Sequence, residues 1–342
     1  MPASGTLVLT RDDVASLLTI EECELAVEQA FRMHGEGKTA PPGVLGVHVP
    51  EGGFHIKAGV LELSRPYFAA KVNANFPQNA KQSGLPLIQG VIVLCDARNG
   101  YPLALMDSIE ITILRTGAAT AVAAKYLARR DSKSITICGG GNQGKASLRA
   151  LSRLFSFAEV FVHDIESEPA QAFASAMSAE TGLKVRAFQD LAGAVRRSDI
   201  VATCTPAKHY FLMRDWIQPG TFIAAVGADN EHKQELEPRL VASSKTVVDI
   251  LEQASTIGDL HHAIEAGLMT KHQVYAELGE VVAGRRVGRS SAEEIIIFDS
   301  TGMALQDVVV AAAVYEKAVK RNLGQSFNLG GQAAQVNRVR AT

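Results

Sequence analysis

The first chemical signal lies in three glycines. Gly139, Gly141 and Gly144 fill the G-x-G-x-x-G positions of SITICGGGNQG, residues 134–144. The first glycine permits a tight turn, the second lets backbone approach a pyrophosphate, and the third lets a helix pack closely on a strand. A helix starting after them offers free amides and a partial positive charge to phosphates. The loop has the context such a motif needs, with an apolar strand before it and a helical stretch after it. A second apolar run, EVFVH, then leads to Asp164, 25 residues past Gly139. An acid at that distance holds the ribose hydroxyls of a dinucleotide. It also repels a 2′-phosphate, and no arginine follows it in DIESEP. The cofactor expected is therefore NAD(H), with NADP(H) less favoured.

The elements that must position this loop follow from periodicity. SITIC, EVFVH, KVRAF, DIVATC, FIAAV and TVVDI are short apolar strands, with helical stretches near 143–155, 168–181 and 189–197. Such alternation builds a parallel sheet with helices on both faces. EIIIFDS is a late strand, and residues 302–321 form a long amphipathic helix that could pack back on the N-terminal part. The N-terminal part has another character. Thr10 with Asp13, and Thr19 with Glu22, have capping spacing and start two helices within the first 40 residues. Residues 44–108 alternate as β-rich segments, with a turn at Asn99 and Gly100, and read as an antiparallel sheet or partial barrel. TGAATAVAAKYLARR is helical. The fold class is α/β, a Rossmann domain plus an α+β domain. The tail from Asn322 is Gly- and Gln-rich and suits a mobile end or a contact with a partner subunit.

Bulk properties narrow the function classes. The chain has 342 residues, a formal charge of −2, 47% hydrophobic and 20% charged residues. No basic block suits nucleic acid, no apolar run is long enough to span a bilayer, and no signal peptide is read. A cytoplasmic location is expected. Cys23, Cys95, Cys138 and Cys204 show neither disulfide nor zinc spacing and read as small buried hydrophobes. His261 and His262 are adjacent, and adjacent helical residues point apart. No metal site is expected.

Taken in order, KVNANFPQN from Lys71, Gly100 to Pro102, ITILRTGAA, GGGNQG, AVGAD and FDSTG make the chain resemble the ornithine cyclodeaminase/mu-crystallin family across nearly its whole length. The resemblance implies a homodimer. It also implies a substrate-binding and dimerisation domain, 1–118 with 313–342, and a Rossmann NAD-binding domain, 119–312. The family includes ornithine and lysine cyclodeaminases, alanine dehydrogenases and imino-acid reductases. The cofactor contacts it implies here are Arg115, Thr116, Gly139, Gly141, Asn142, Gln143, Asp164, Thr205, Val226, Gly227, Ala228, Asp229, Lys233 and Ser300. Lys71, Arg115 and Asp229 are implied as catalytic residues. Lys71 and Arg115 would hold a carboxylate, Arg115 in bidentate fashion. Asp229 would act as general acid/base or hold a substrate ammonium. Thr301 is placed with the substrate.

Two departures steer the reading. The cyclodeaminases carry a further arginine in the segment matching 42–48, and this chain has none in PGVLGVHV. They also carry a glutamate on the strand matching FHIKAG, where this chain offers His55 and Lys57. A lysine repels a second ammonium and suits a carboxylate, so Lys57 is a candidate for a second acidic group. The leading expectation is an NAD(H)-dependent reductase of a small 2-imino acid, or the reverse amino-acid dehydrogenase. The alternatives are a cyclodeaminase-type lyase that borrows NAD⁺ and a binding protein without turnover.

Overall fold

The computed structural model describes residues 5–329, and two sheets organise them. The first sheet opens with β1 (Thr6–Leu9), then helices α1 (Arg11–Leu17) and α2 (Ile20–Gly35). Both helices start where the sequence indicates. Thr10 with Asp13, and Thr19 with Glu22, each form a reciprocal cap. On α2, Cys23, Val27 and Phe31 are buried on one face. A meander follows: β2 (Gly43–Val49), β3 (Gly52–Glu62), β4 (Pro66–Asn75), β5 (Ile88–Asp96) and β6 (Pro102–Asp107). Its neighbours are antiparallel. The turn between β5 and β6 centres on Gly100, at φ +75°. The sheet is open rather than a partial barrel. β1, which periodicity missed because four residues carry too little pattern, pairs parallel to β6.

Helix α3 (Ile109–Leu127) leads into the second sheet. That sheet alternates β7 (Ser134–Cys138), α4 (Asn142–Leu154), β8 (Glu159–His163), α5 (Ser167–Thr181), β9 (Val185–Ala187), α6 (Leu191–Val195) and β10 (Ile200–Thr203). It continues with β11 (Phe222–Ala225), β12 (Lys245–Val248), α7 (Asp259–Glu265), β13 (Ala276–Glu277) and β14 (Ile296–Asp299). All eight strands are parallel, in the order β13-β12-β14-β11-β10-β7-β8-β9. The order reverses between β7 and β10, which opens a crevice at their carboxyl ends.

Helix α8 (Ala304–Arg321) returns across β3 and β4 of the first sheet. Gly59 makes the close crossing possible, since a Cβ there would sit 2.9 Å from Leu305 Cδ2. The expected domain limits at 118/119 and 312/313 fall inside α3 and α8, two continuous helices that serve both sheets. One apolar core joins the sheets, with Ile92 and Met106 in the same buried cluster as Ile137, Phe298 and Leu305. The segment past Asn322 corrects the expectation of a mobile or partner-bound tail as far as residue 329. β15 (Gln325–Phe327) pairs antiparallel with β1 of its own chain. Residues 330–342, which the expected first domain includes, lie outside the described residues. The four cysteines are free; Cys23 and Cys138 are buried, Cys95 and Cys204 partly so. Among the described residues, no helix is long and apolar enough to cross a membrane.

Candidate active site

The glycine loop sits at the crevice between β7 and β10. Gly139 adopts φ +108°, and a Cβ on it would lie 2.9 Å from the Cys204 carbonyl. Gly144 packs so closely that its Cβ would meet the Gly139 carbonyl at 2.3 Å. Gly141 differs, because nothing lies within 4 Å of its missing Cβ. It precedes the first turn of α4 with no side chain capping that turn. Those amides therefore face open space, as an anion site at a helix start requires. Asn142 is exposed there and Gln143 partly so. Asp164 follows β8, and its Oδ2 accepts the Gly140 N–H at 2.8 Å, which ties this acid to the loop. These features fit a dinucleotide.

Five sequence candidates lie just past the carboxyl ends of β10, β11 and β14. Val226, Gly227 and Ala228 follow β11 and are buried. Ser300 follows β14, and its N–H donates to the Ala225 carbonyl. Thr205 lies beside Gly139, but its hydroxyl is committed to Glu235 at 2.7 Å. Glu235 is a residue that sequence reading missed. Its carboxylate also takes Thr203 Oγ1 at 2.7 Å, the Thr205 N–H at 2.6 Å and the Gly227 N–H at 3.0 Å. Burial, then the neighbouring acid Asp259, push its pKa up to about 7. It sits in NEHKQEL like any surface glutamate, so no sequence signal marks it.

The other candidates gather where α8, β3, β4 and α3 meet. Alternation along β3 and β4 places Lys57 opposite Lys71 in register. Both are buried, at 7% and 3% exposure, so neither is a strand lysine facing water. Lys71 Nζ is 2.9 Å from Asp307. Arg115, nearly two turns into α3, donates through Nη1 to Gln306 Oε1 at 3.0 Å and has its Nε 3.6 Å from Asp307. Its guanidinium thus faces the lysines, and with them forms a buried cationic cluster. Lys57 Nζ donates to the carbonyls of Thr301 and Gly302 at 2.6 and 2.9 Å. Two of its three donors are committed, which leaves one for a second acidic group. Gly302, at φ +85°, closes the cluster; a Cβ on it would be 3.0 Å from both Lys57 Nζ and Arg115 Nη1. Thr301 turns its hydroxyl away, to Asp249 and Gln253. It therefore meets the cluster through its carbonyl.

Asp229 follows β11 on a loop, not on a helix, so it caps nothing. Its carboxylate is 2.8 Å from Lys233 Nζ. Desolvation works against ionisation there, but the charges of Lys233 and Lys57 outweigh it and hold the carboxyl down to about 2. Burial lowers Lys71 to about 7, helped by Arg115 and Lys57 and opposed by Asp307. Burial also lowers Lys57, with Arg115 next in effect. His55, on β3 beyond Lys57, is lowered by burial and partly restored by Asp229. Asp307 and Gln306 were also missed. A signal existed: two polar residues interrupt the apolar run of α8 in its first turn. The expectation that His261 and His262 diverge is corrected as well, because both reach Glu265.

Comparison with known proteins gives a consistent result. The family described as "Ornithine cyclodeaminase/mu-crystallin family" matches residues 4–322. An alanine dehydrogenase of Archaeoglobus fulgidus is 39% identical over 322 residues, covering 94% of this chain and 98% of that protein. A solved archaeal alanine dehydrogenase dimer with bound NAD superposes with a TM-score of 0.89 at 38% identity, covering 95% of this chain and 99% of that one. The Thermococcus litoralis Δ1-pyrroline-2-carboxylate reductase, solved with NADH and L-proline, gives a TM-score of 0.89 at 34% identity, covering 94% and 100%.

Proposed function

The chain belongs to the ornithine cyclodeaminase/mu-crystallin family, and from that premise we propose that it is an NAD(H)-dependent oxidoreductase of the imino-acid/amino-acid type. It reduces the C=N bond of a small 2-imino acid, or oxidises the amino acid in the reverse direction. The observation that carries this reading is the buried cation cluster. Lys57, Lys71 and Arg115 converge, and the nearest carboxylate, Asp307, is shared by two of them. Positive charge in excess, out of water, demands an anion. A substrate carboxylate supplies it.

When bound, the nicotinamide supplies the hydride or accepts it. The protein's part is charge and position. The unshared donors of Lys71 and Arg115 hold the carboxylate. Asp229, ionised at any working pH, faces the substrate nitrogen and stabilises the iminium that receives hydride, and then the ammonium formed when the resulting neutral amine takes up a proton. Its low pKa supports a role as acceptor rather than as the acid that gives the proton. Lys71, poised near neutrality, is the group suited to carry one. On the cofactor side, Asp164 suits the ribose, Gly141 and the start of α4 the pyrophosphate, and Ile165, 95% exposed beside Asp164, gives the adenine an apolar face.

We assign substrate binding and dimerisation to the first sheet with α8, and cofactor binding to the parallel sheet. A homodimer is supported by the bare edge of the first sheet. Every residue of β2 is exposed, including Val44, Leu45, Val47 and Val49, with Leu87 and Ile88 exposed at the start of β5. Such an edge favours a partner. Light scattering after size exclusion tests the dimer.

The activity test follows NADH absorbance with pyruvate plus ammonia, pyrroline-2-carboxylate and piperideine-2-carboxylate. Turnover on at least one is expected. NADH binding without turnover on any would overturn the reading. Product formed from ornithine with no net NADH change would identify a lyase instead.

A further inference from the structure

Helix α7 carries a cluster of metal-type donors among the described residues. Glu265 lies four residues after His261 and three after His262, the two spacings at which helical side chains meet. His261 Nε2 is 3.3 Å from Glu265 Oε2, and His262 Nδ1 is 3.9 Å from the same oxygen. All three donor atoms fall within 4.8 Å of one another. The two imidazoles are largely buried, at 16% exposure each, while the carboxylate is 64% exposed.

The tautomer of His262 is fixed by its surroundings. Its Nε2 lies 2.8 Å from the carbonyl oxygen of Lys233. A carbonyl only accepts, so Nε2 bears the proton. In the neutral ring Nδ1 then points a lone pair at the Glu265 carboxylate. Two electron-rich atoms face each other there, and a cation between them removes the conflict. Zinc bonds of ~2.0–2.1 Å in a tetrahedron put donor atoms roughly 3.3–3.5 Å apart. The observed 3.3 and 3.9 Å are close to that spacing. A metal-bound histidine that donates its other N–H to a backbone carbonyl is also the usual outer-shell arrangement.

We propose that His261, His262 and Glu265 bind a divalent transition-metal cation of the zinc class, with solvent completing the coordination. Two imidazoles and one carboxylate suit zinc and its neighbours, and magnesium and calcium prefer all-oxygen sets. The carbonyl that orients His262 belongs to Lys233, whose ammonium holds Asp229. The cation site is thus one residue away from the candidate catalytic loop.

Calorimetric titration of the full-length protein with zinc chloride, then magnesium chloride, tests this. Wild type is expected to take up one zinc per chain at micromolar concentration and no magnesium. His261→Ala, which leaves the Lys233 bond untouched, and His262→Ala should each weaken zinc binding by ~10–100-fold. His48→Ala serves as a control for the separate histidine group in which the His48 ring lies 6.2 Å from His55 and 6.4 Å from His232, and should keep wild-type affinity. Unfolding midpoints verify that each variant is folded. The proposal is overturned if wild type binds no zinc. It is also overturned if the folded His261→Ala variant binds zinc as wild type does, or if His48→Ala abolishes binding.

Discussion

Lys71 and Asp307 meet at 2.9 Å with their side chains 3% and 2% exposed. One comes from β4 and the other from the first turn of α8, 236 positions apart in sequence. The pair does not neutralise its surroundings, because Arg115 shares the same aspartate. Burial works most strongly against the Lys71 charge, Asp307 opposes it, and Arg115 and Lys57 add repulsion, so a lysine whose pKa falls to about 7 changes state within the working range.

This sets a pH dependence. Lys71 is protonated below about pH 7 and loses its charge above it. If the cation anchors the carboxylate, kcat/KM of the imine reduction falls as pH rises through that value, since kcat/KM reports the free enzyme. Lys71→Arg cannot deprotonate in this range. The fall should then vanish or move to far higher pH, even if the plateau is lower. A pH profile of both proteins checks this. An unchanged profile in the variant would assign the titration to another group.

Asp307→Asn removes the one carboxylate that Lys71 and Arg115 share. Leaving a buried charge without its partner costs ~3–5 kcal/mol, to be read as a lowered denaturant midpoint. The same change removes the main effect that opposes the loss of charge on Lys71. The pH at which kcat/KM falls should therefore shift downward. A stable variant with an unmoved profile would mean that the pair is not coupled to activity.

Asp229→Asn keeps the shape of the loop and deletes the charge that we propose faces the substrate nitrogen. Turnover should drop by ~10²–10⁴-fold, the usual contribution of a positioned acid–base group. NADH affinity, measured by fluorescence titration, should change little. Because the Asp229 carboxyl is held down to about 2, any acidic limb in the wild-type profile belongs to another group.

The glycine loop separates space from packing. Gly141 has φ −81° and open space around its missing Cβ. Gly141→Ala should fold normally and raise KM for NADH at least ~10-fold, because the methyl occupies the place where the pyrophosphate approaches. Gly144→Ala puts a Cβ 2.3 Å from the Gly139 carbonyl. It should lower the unfolding midpoint as well as the affinity. If Gly141→Ala binds NADH like wild type, the pyrophosphate lies elsewhere.

The sequence by itself determined the parts governed by local pattern. Capping spacing placed α1 and α2, and strand–helix alternation gave the parallel sheet from β7 to β10. GGGNQG with Asp164 marked the glycine loop proposed to hold the dinucleotide, because those glycines act through backbone conformation within a few residues. Lys71, Arg115 and Asp229 were named through the resemblance. The tertiary structure alone decided their environment. That Lys57 is committed to two carbonyls, that Asp307 serves both Lys71 and Arg115, and that Glu235 braces Gly227 and Thr205 are contacts between residues far apart in sequence. The strand order is similar: β14 inserts between β11 and β12, and β15 returns to β1. Charge and pKa depend on which groups share a buried volume. No spacing rule along a chain encodes that, because burial and proximity arise only when the two sheets close on α3 and α8.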